Sequence, residues 1–99
     1  MVTKVEIFAY GTVGKSLIKI ITTHDTGNIT SHSRRTPKEA ASELVIIKNS
    51  LGAKDVQFSF PKENRTYIQH DGSMAYLLSE LSLNKQEEIV ERINEELTK

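Results

Sequence analysis

The segment Lys15–His24, KSLIKIITTH, constrains the fold more than any other stretch of the chain. Ile18, Ile20, Ile21, Thr22 and Thr23 are all β-branched, which stiffens their side chains against a helical turn and favours extended backbone. Immediately before it, Gly11 and Gly14 frame the turn-like "GTVG". Before that, "VTKVEIFAY" alternates, with Val5, Ile7 and Ala9 on one side and Lys4, Glu6, Phe8 and Tyr10 on the other. After it, "DTGN" at 25–28 supplies residues that tolerate positive backbone dihedrals, so "ITSHSRR" should return antiparallel. The chain is therefore expected to open as a three-stranded meander.

Thr36-Pro37-Lys38-Glu39 then announces a helix. The Thr hydroxyl can accept from an orphan amide of the first turn, Pro suits the first helical position, and Glu39 completes a capping box. The buried stripe should be Ala40, Ala41, Leu44, Ile47 and Leu51, with Gly52 as the left-handed stop. Beyond it, "DVQFSF" alternates with Val56, Phe58 and Phe60 inward, "PKEN" turns, and "RTYIQH" runs back as a hairpin. Asp71-Gly72-Ser73 precedes an apolar run read as a short helix over 74–81. Asn84 and Glu87, at capping-box spacing, open a last helix with the stripe Ile89, Val90, Ile93 and Leu97. The expected fold is a single α+β domain over residues 1–99. It has the order βββα-ββαα, an antiparallel sheet of about five strands, and helices over 37–51, 74–81 and 85–97 on one face. Its core should include Val5, Ile7, Leu17, Ile21, Leu44, Ile47, Val56, Phe58, Ile68, Leu77, Leu78, Ile89 and Ile93.

Ninety-nine residues support one modest core, so any function must use a surface, a shallow cleft or a seam between copies. Lys+Arg and Asp+Glu both number 13, and this balance supplies no global field toward nucleic acid or an anionic membrane. The charge is nonetheless uneven. Up to Lys38 the cations Lys4, Lys15, Lys19, Arg34, Arg35 and Lys38 face only Glu6 and Asp25, leaving that part at +4 and the remainder at −4. The absence of cysteine suits a reducing compartment, and no stretch near the N-terminus has the apolar run of a signal peptide. Both features predict a cytoplasmic protein.

The glycine turn carries a second reading. Ala9, Gly14, Lys15 and Ser16 meet the loose pattern of a phosphate-binding loop, and "KVEIFAYGTVGKSLIKII" over residues 4–21 resembles the first strand, loop and helix of small P-loop GTPases. The resemblance implies a bound nucleotide, with Lys15 on its phosphates and Ser16 on its metal. The chain departs from that pattern at Ala9, where glycine is usual. It also has no apolar strand ending in an aspartate, no Asn-Lys-x-Asp stretch, and too few residues for the parallel sheet. The β-branched run after Ser16 favours a hairpin there.

Other chemistry is sparse. His24-Asp25 and His70-Asp71 pair imidazole and carboxylate in sequence, but neighbours on a strand face opposite ways, and no spacing suits zinc. No enzymatic activity, cofactor or metal is expected. The composition, frequent in Ile, Lys and Asn, fits a small bacterial or phage accessory factor or inhibitor. The expectation is a non-catalytic binding or regulatory protein acting by protein contact on a partner of unknown identity, with a homodimer as one way to cover exposed strand edges. The alternative is a nucleic-acid-binding domain using a basic surface of Lys15, Lys19, His32, Arg34, Arg35 and Lys38. In topology only, residues 2–51 resemble the arm-type DNA-binding domains of phage integrases and the last part of double-stranded-RNA-binding domains.

Overall fold

The computed structural model describes residues 2–12, 14–50, 58–61, 65–68, 74–77 and 81–99. The opening meander forms as the β-branched run demands: β1 (Val2–Thr12), β2 (Lys15–His24) and β3 (Ile29–Arg34). β1 and β2 pair antiparallel from Thr12 opposite Lys15 to Val2 opposite His24, with a register shift between Val2 and Lys4. At the far end the chain reverses through Gly27, whose φ of 89° lies in the left-handed region and whose amide donates to the His24 carbonyl at 2.9 Å. β3 then pairs antiparallel with β2, Ile29 opposite Thr23 and Arg34 opposite Ile18.

The helix α1 (Pro37–Ser50) begins where its capping residues place it. The Glu39 amide donates to Thr36 Oγ1 at 3.1 Å, and the Thr36 hydroxyl donates to Glu39 Oε1 at 3.0 Å. Ala40, Ala41, Leu44 and Ile47 are buried, as the spacing predicts. α2 (Leu83–Leu97) starts two residues earlier than expected. Its cap is Ser82, whose hydroxyl accepts from the Lys85 amide at 3.1 Å, and not Asn84. Gln86 is buried in its first turns and donates from Nε2 to the Leu81 carbonyl at 3.0 Å, so the polar side chain is satisfied in the core.

Both helices cover the same face of the sheet. One cluster unites Val5, Ile7 and Ala9 of β1 and Ile18 and Ile20 of β2 with Ala40, Leu44 and Ile47 of α1 and Ile89 and Ile93 of α2. The thinnest dimension of the molecule is 17 Å, which admits one sheet and one layer of helices. The α+β class, the helix-covered face and the order through the fifth strand agree with expectation.

The pairing beyond α1 differs. β4 (Phe58–Ser59) runs parallel to β1, Phe58 beside Val5, which makes the main sheet mixed, in the order β3-β2-β1-β4. This register sets Phe58 against the helix-side core, a burial that a separate hairpin would not provide. β5 (Arg65–Ile68) pairs instead with β6 (Met74–Leu77), from Arg65 opposite Leu77 to Ile68 opposite Met74. The segment expected to begin a helix at Met74 is thus extended through Leu77. Four to eight apolar residues bounded by turn signals fit a strand or a helix equally by periodicity.

The parity of β2 is the other correction. Ile7 lies opposite Ile20 and Val5 opposite Thr22, so the even residues of β2 face the helices and the odd ones face away. Leu17 is therefore only half-buried, and Ile21 is buried in a second, smaller cluster with Phe8, packed by Tyr10 and Ile29. Among the expected core residues, Leu51, Val56 and Leu78, like the Gly52 stop and the side chains of Ile68 and Leu77, lie outside the described residues. Thr22 is 1% exposed on the helix side, and its Oγ1 has no hydrogen-bond partner among the described residues.

Candidate binding surface

Strand parity sorts the six cationic or titratable residues of the expected basic surface into three places. Ile20 pairs with His32 and Ile18 with Arg34, so both of these β3 residues face the helix side. There Glu43 of α1 meets them: Arg34 donates from its guanidinium to Glu43 Oε2 at 3.1 Å, and His32 Nε2 stands 3.9 Å from Glu43 Oε1. Arg34 donates also to the Ser33 carbonyl at 2.8 Å, which holds the guanidinium against the end of β3. The Glu43 carboxylate thus stands against two members of the basic surface and pairs with the charge of Arg34.

Lys15 and Lys19 are odd-numbered residues of β2 and share the opposite face with Ser33. Lys19 places its ammonium 5.8 Å from the centroid of the Tyr10 ring, within reach of a cation–π contact, and Tyr10 Oη lies 3.2 Å from Ser33 Oγ. Arg35 follows the last β2–β3 pair and stands at that same end of the sheet. With Gly14, Lys15, Ser16 and Leu17 it lines a cleft of about 490 Å³. Lys38, in the first turn of α1, lies apart from this cleft and lines a shallow groove with Thr36, Pro37, Arg92, Glu95 and Glu96.

The loop that matches the phosphate-binding pattern is a hairpin turn. Lys15 and Ser16 begin β2, so no helix N-terminus follows Gly14 and no curl of amides is directed at an anion by one. Gly11 adopts φ 95° and Gly14 φ 91°. A Cβ on Gly11 would lie 2.6 Å from the Lys15 carbonyl oxygen, so glycine at this position serves the close approach of the two strands.

Elsewhere, no group of three or more His, Asp and Glu among the described residues could hold a metal ion. No described helix is long and apolar enough to cross a membrane. His24 ends β2 at half burial, and His70 lies outside the described residues.

The surface that residue-type reasoning missed is on α1. Val45 is 44% exposed and Ile46 55% exposed, adjacent on the helix face turned away from the core, with exposed Ser42 and Asn49 one turn to either side. The signal was present in the sequence: these two apolar residues fall outside the stripe at 40, 41, 44 and 47. Comparison of the chain with protein-family models, curated proteins and solved structures finds no match.

Proposed function

We propose that the protein is a non-catalytic binding module of the cytoplasm that acts by protein contact through the outer face of α1. The observation that carries this reading is the exposed Val45–Ile46 pair. Single exposed apolar residues are ordinary, but two adjacent β-branched residues on a helix whose opposite face already fills the core give that helix a second apolar side. β-branched residues also carry little side-chain entropy to lose on docking, which lowers the cost of contact.

A second copy is the partner that fits first. With a two-fold axis between Val45 and Ile46, an antiparallel pair of α1 helices brings Ser42 of one copy opposite Asn49 of the other, polar groups flanking an apolar centre in an isologous contact. The nucleic-acid reading ranks second because Glu43 occupies His32 and Arg34, two of the six residues it needs.

Sedimentation velocity over a concentration series tests the proposal, together with photocrosslinking from Ile46 in cells of the native host. Concentration-dependent dimer, or a defined crosslinked partner, abolished by Val45→Asp/Ile46→Asp supports it. A monomer with no crosslinked species, or an association indifferent to the double substitution, overturns it.

A further inference from the structure

We propose that the cleft between the β1–β2 turn and the β3–α1 junction is an anion site that takes the phosphate group of a small phosphorylated molecule. The site is separate from the α1 surface and does not depend on it. Lys15 and Arg35 are the charged residues of its described lining, and no carboxylate among the described residues shares it. Neither side chain forms an ion pair with a described residue. That contrasts with Lys4, Arg34, Lys85 and Lys99, each within 4.0 Å of a glutamate oxygen. Two unpartnered cations lining one concavity repel each other, and a dianion between them relieves that repulsion while using the planar fork of Arg35 for paired hydrogen bonds.

The surrounding chain is arranged to present them. Arg34 is tied down to Glu43 and to the Ser33 carbonyl on the helix side. Its neighbour Arg35 therefore leaves the strand end from a fixed backbone position. Lys15 is held by the β1–β2 ladder opposite Thr12. Gly14 leaves room for close approach, since a Cβ there would meet nothing within 4 Å. Leu17, on the same face of β2 as Lys15, adds an apolar wall. A volume of about 490 Å³ exceeds what a bare phosphate ion fills and lies in the range of small-molecule clefts, about 300–1,000 Å³. The ligand is thus expected to carry an organic part that rests on Leu17. Recognition here is by side chains at the end of a sheet, in keeping with the extended conformation of β2.

The test is a titration of the full ¹⁵N-labelled chain, followed by amide and Arg Nε resonances, at constant ionic strength. Inorganic phosphate and phenyl phosphate are the probes, benzoate is the monoanionic control, and a single-stranded 12-mer DNA is a separate arm. The expected result is saturable shifts centred on Gly14, Lys15, Ser16 and Arg35. Phenyl phosphate should bind more tightly than phosphate, and benzoate at least about tenfold more weakly than phenyl phosphate. Lys15→Gln/Arg35→Gln should weaken phenyl phosphate at least about tenfold, and Lys48→Gln, on exposed α1 surface, should leave it unchanged. The spectrum of each variant reports its folding directly. Shifts that do not saturate, or that survive the Lys15/Arg35 double substitution, overturn the proposal. So does a 12-mer that binds more tightly than phenyl phosphate with shifts extending over Lys19 and Tyr10, which would assign the surface to nucleic acid.

Discussion

Thr22 offers the sharpest test of how the core is built. It is 1% exposed on the helix side of β2, opposite Val5 on one neighbouring strand and Thr30 on the other, and its hydroxyl has no hydrogen-bond partner among the described residues. Burying an unpaired hydroxyl costs about 1–3 kcal/mol, and Thr22→Val replaces it by a methyl group of nearly the same shape. The new methyl contributes up to about 0.8 kcal/mol of apolar burial, reduced because the unfolded chain is itself partly compact. The net gain should be about 1–3 kcal/mol, with roughly 4–8 °C in Tm for each kcal/mol in a domain of this size. Thr30→Val is the control: it makes the same change of strand propensity at the exposed cross-strand neighbour, and should alter stability by no more than about 0.5 kcal/mol. Urea unfolding followed by circular dichroism, with equal m-values, measures both. If Thr22→Val is no more stable than Thr30→Val, the Thr22 hydroxyl is bonded in solution and the argument fails.

Two further predictions concern the backbone. Gly11, Gly14 and Gly27 all have positive φ, but only Gly11 would drive a Cβ to 2.6 Å from a carbonyl oxygen. Alanine should therefore cost about 1–2 kcal/mol at Gly14 or Gly27 and at least about 1 kcal/mol more at Gly11, and equal losses in chemical denaturation would contradict the strand approach described. At the start of α2, Ser82→Ala should lose about 1 kcal/mol by removing the acceptor for the Lys85 amide. Asn84→Ala, inside the first turn, should be close to neutral; the reverse ranking would place the cap at Asn84.

Where local signals agreed with one another, the chain could be read directly. Thr36, Pro37 and Glu39 each point to the same helix start, and the helix begins there. The β-branched run after Ser16 outweighed a motif that wanted a helix, because side-chain torsional restriction acts at every residue of the segment while the motif asks only for residue types at a few positions. The second half lacked such agreement. Asp71-Gly72-Ser73 can close a hairpin or cap a helix, and Met74 to Leu77 is too short for a period to declare itself, so the chemistry of the turn could not decide between strand and helix. The parallel pairing of β4 with β1 depends on how far α1 carries the chain back across the sheet, a quantity no short window contains.

The basic surface shows the same limit at the level of single residues. Sequence proximity groups His32, Arg34 and Arg35, but β3 ends at Arg34, which meets Glu43 on the helix side, while Arg35, past the strand end, lines the cleft with Lys15 and Leu17. Once Ile29 pairs with Thr23, every even residue of β3 shares a face with an even residue of β2, and every odd with odd. That much follows from the turn at 25–28. What does not follow is which parity the helices cover, because β2 is apolar on both sides: Ile18 and Ile20 on one, Leu17 and Ile21 on the other. The choice is made by β1, where Val5, Ile7 and Ala9 present three small or branched apolar residues in a row while the other face interrupts Phe8 with Glu6 and Tyr10. Had Leu17 and Ile21 faced the helices, Lys15 and Lys19 would have turned with them toward α1. Glu43 could then have offset those cations, and His32 and Arg34 would have been the pair left facing away. The composition of β1 therefore decides which cations Glu43 neutralises and which remain to receive an anion.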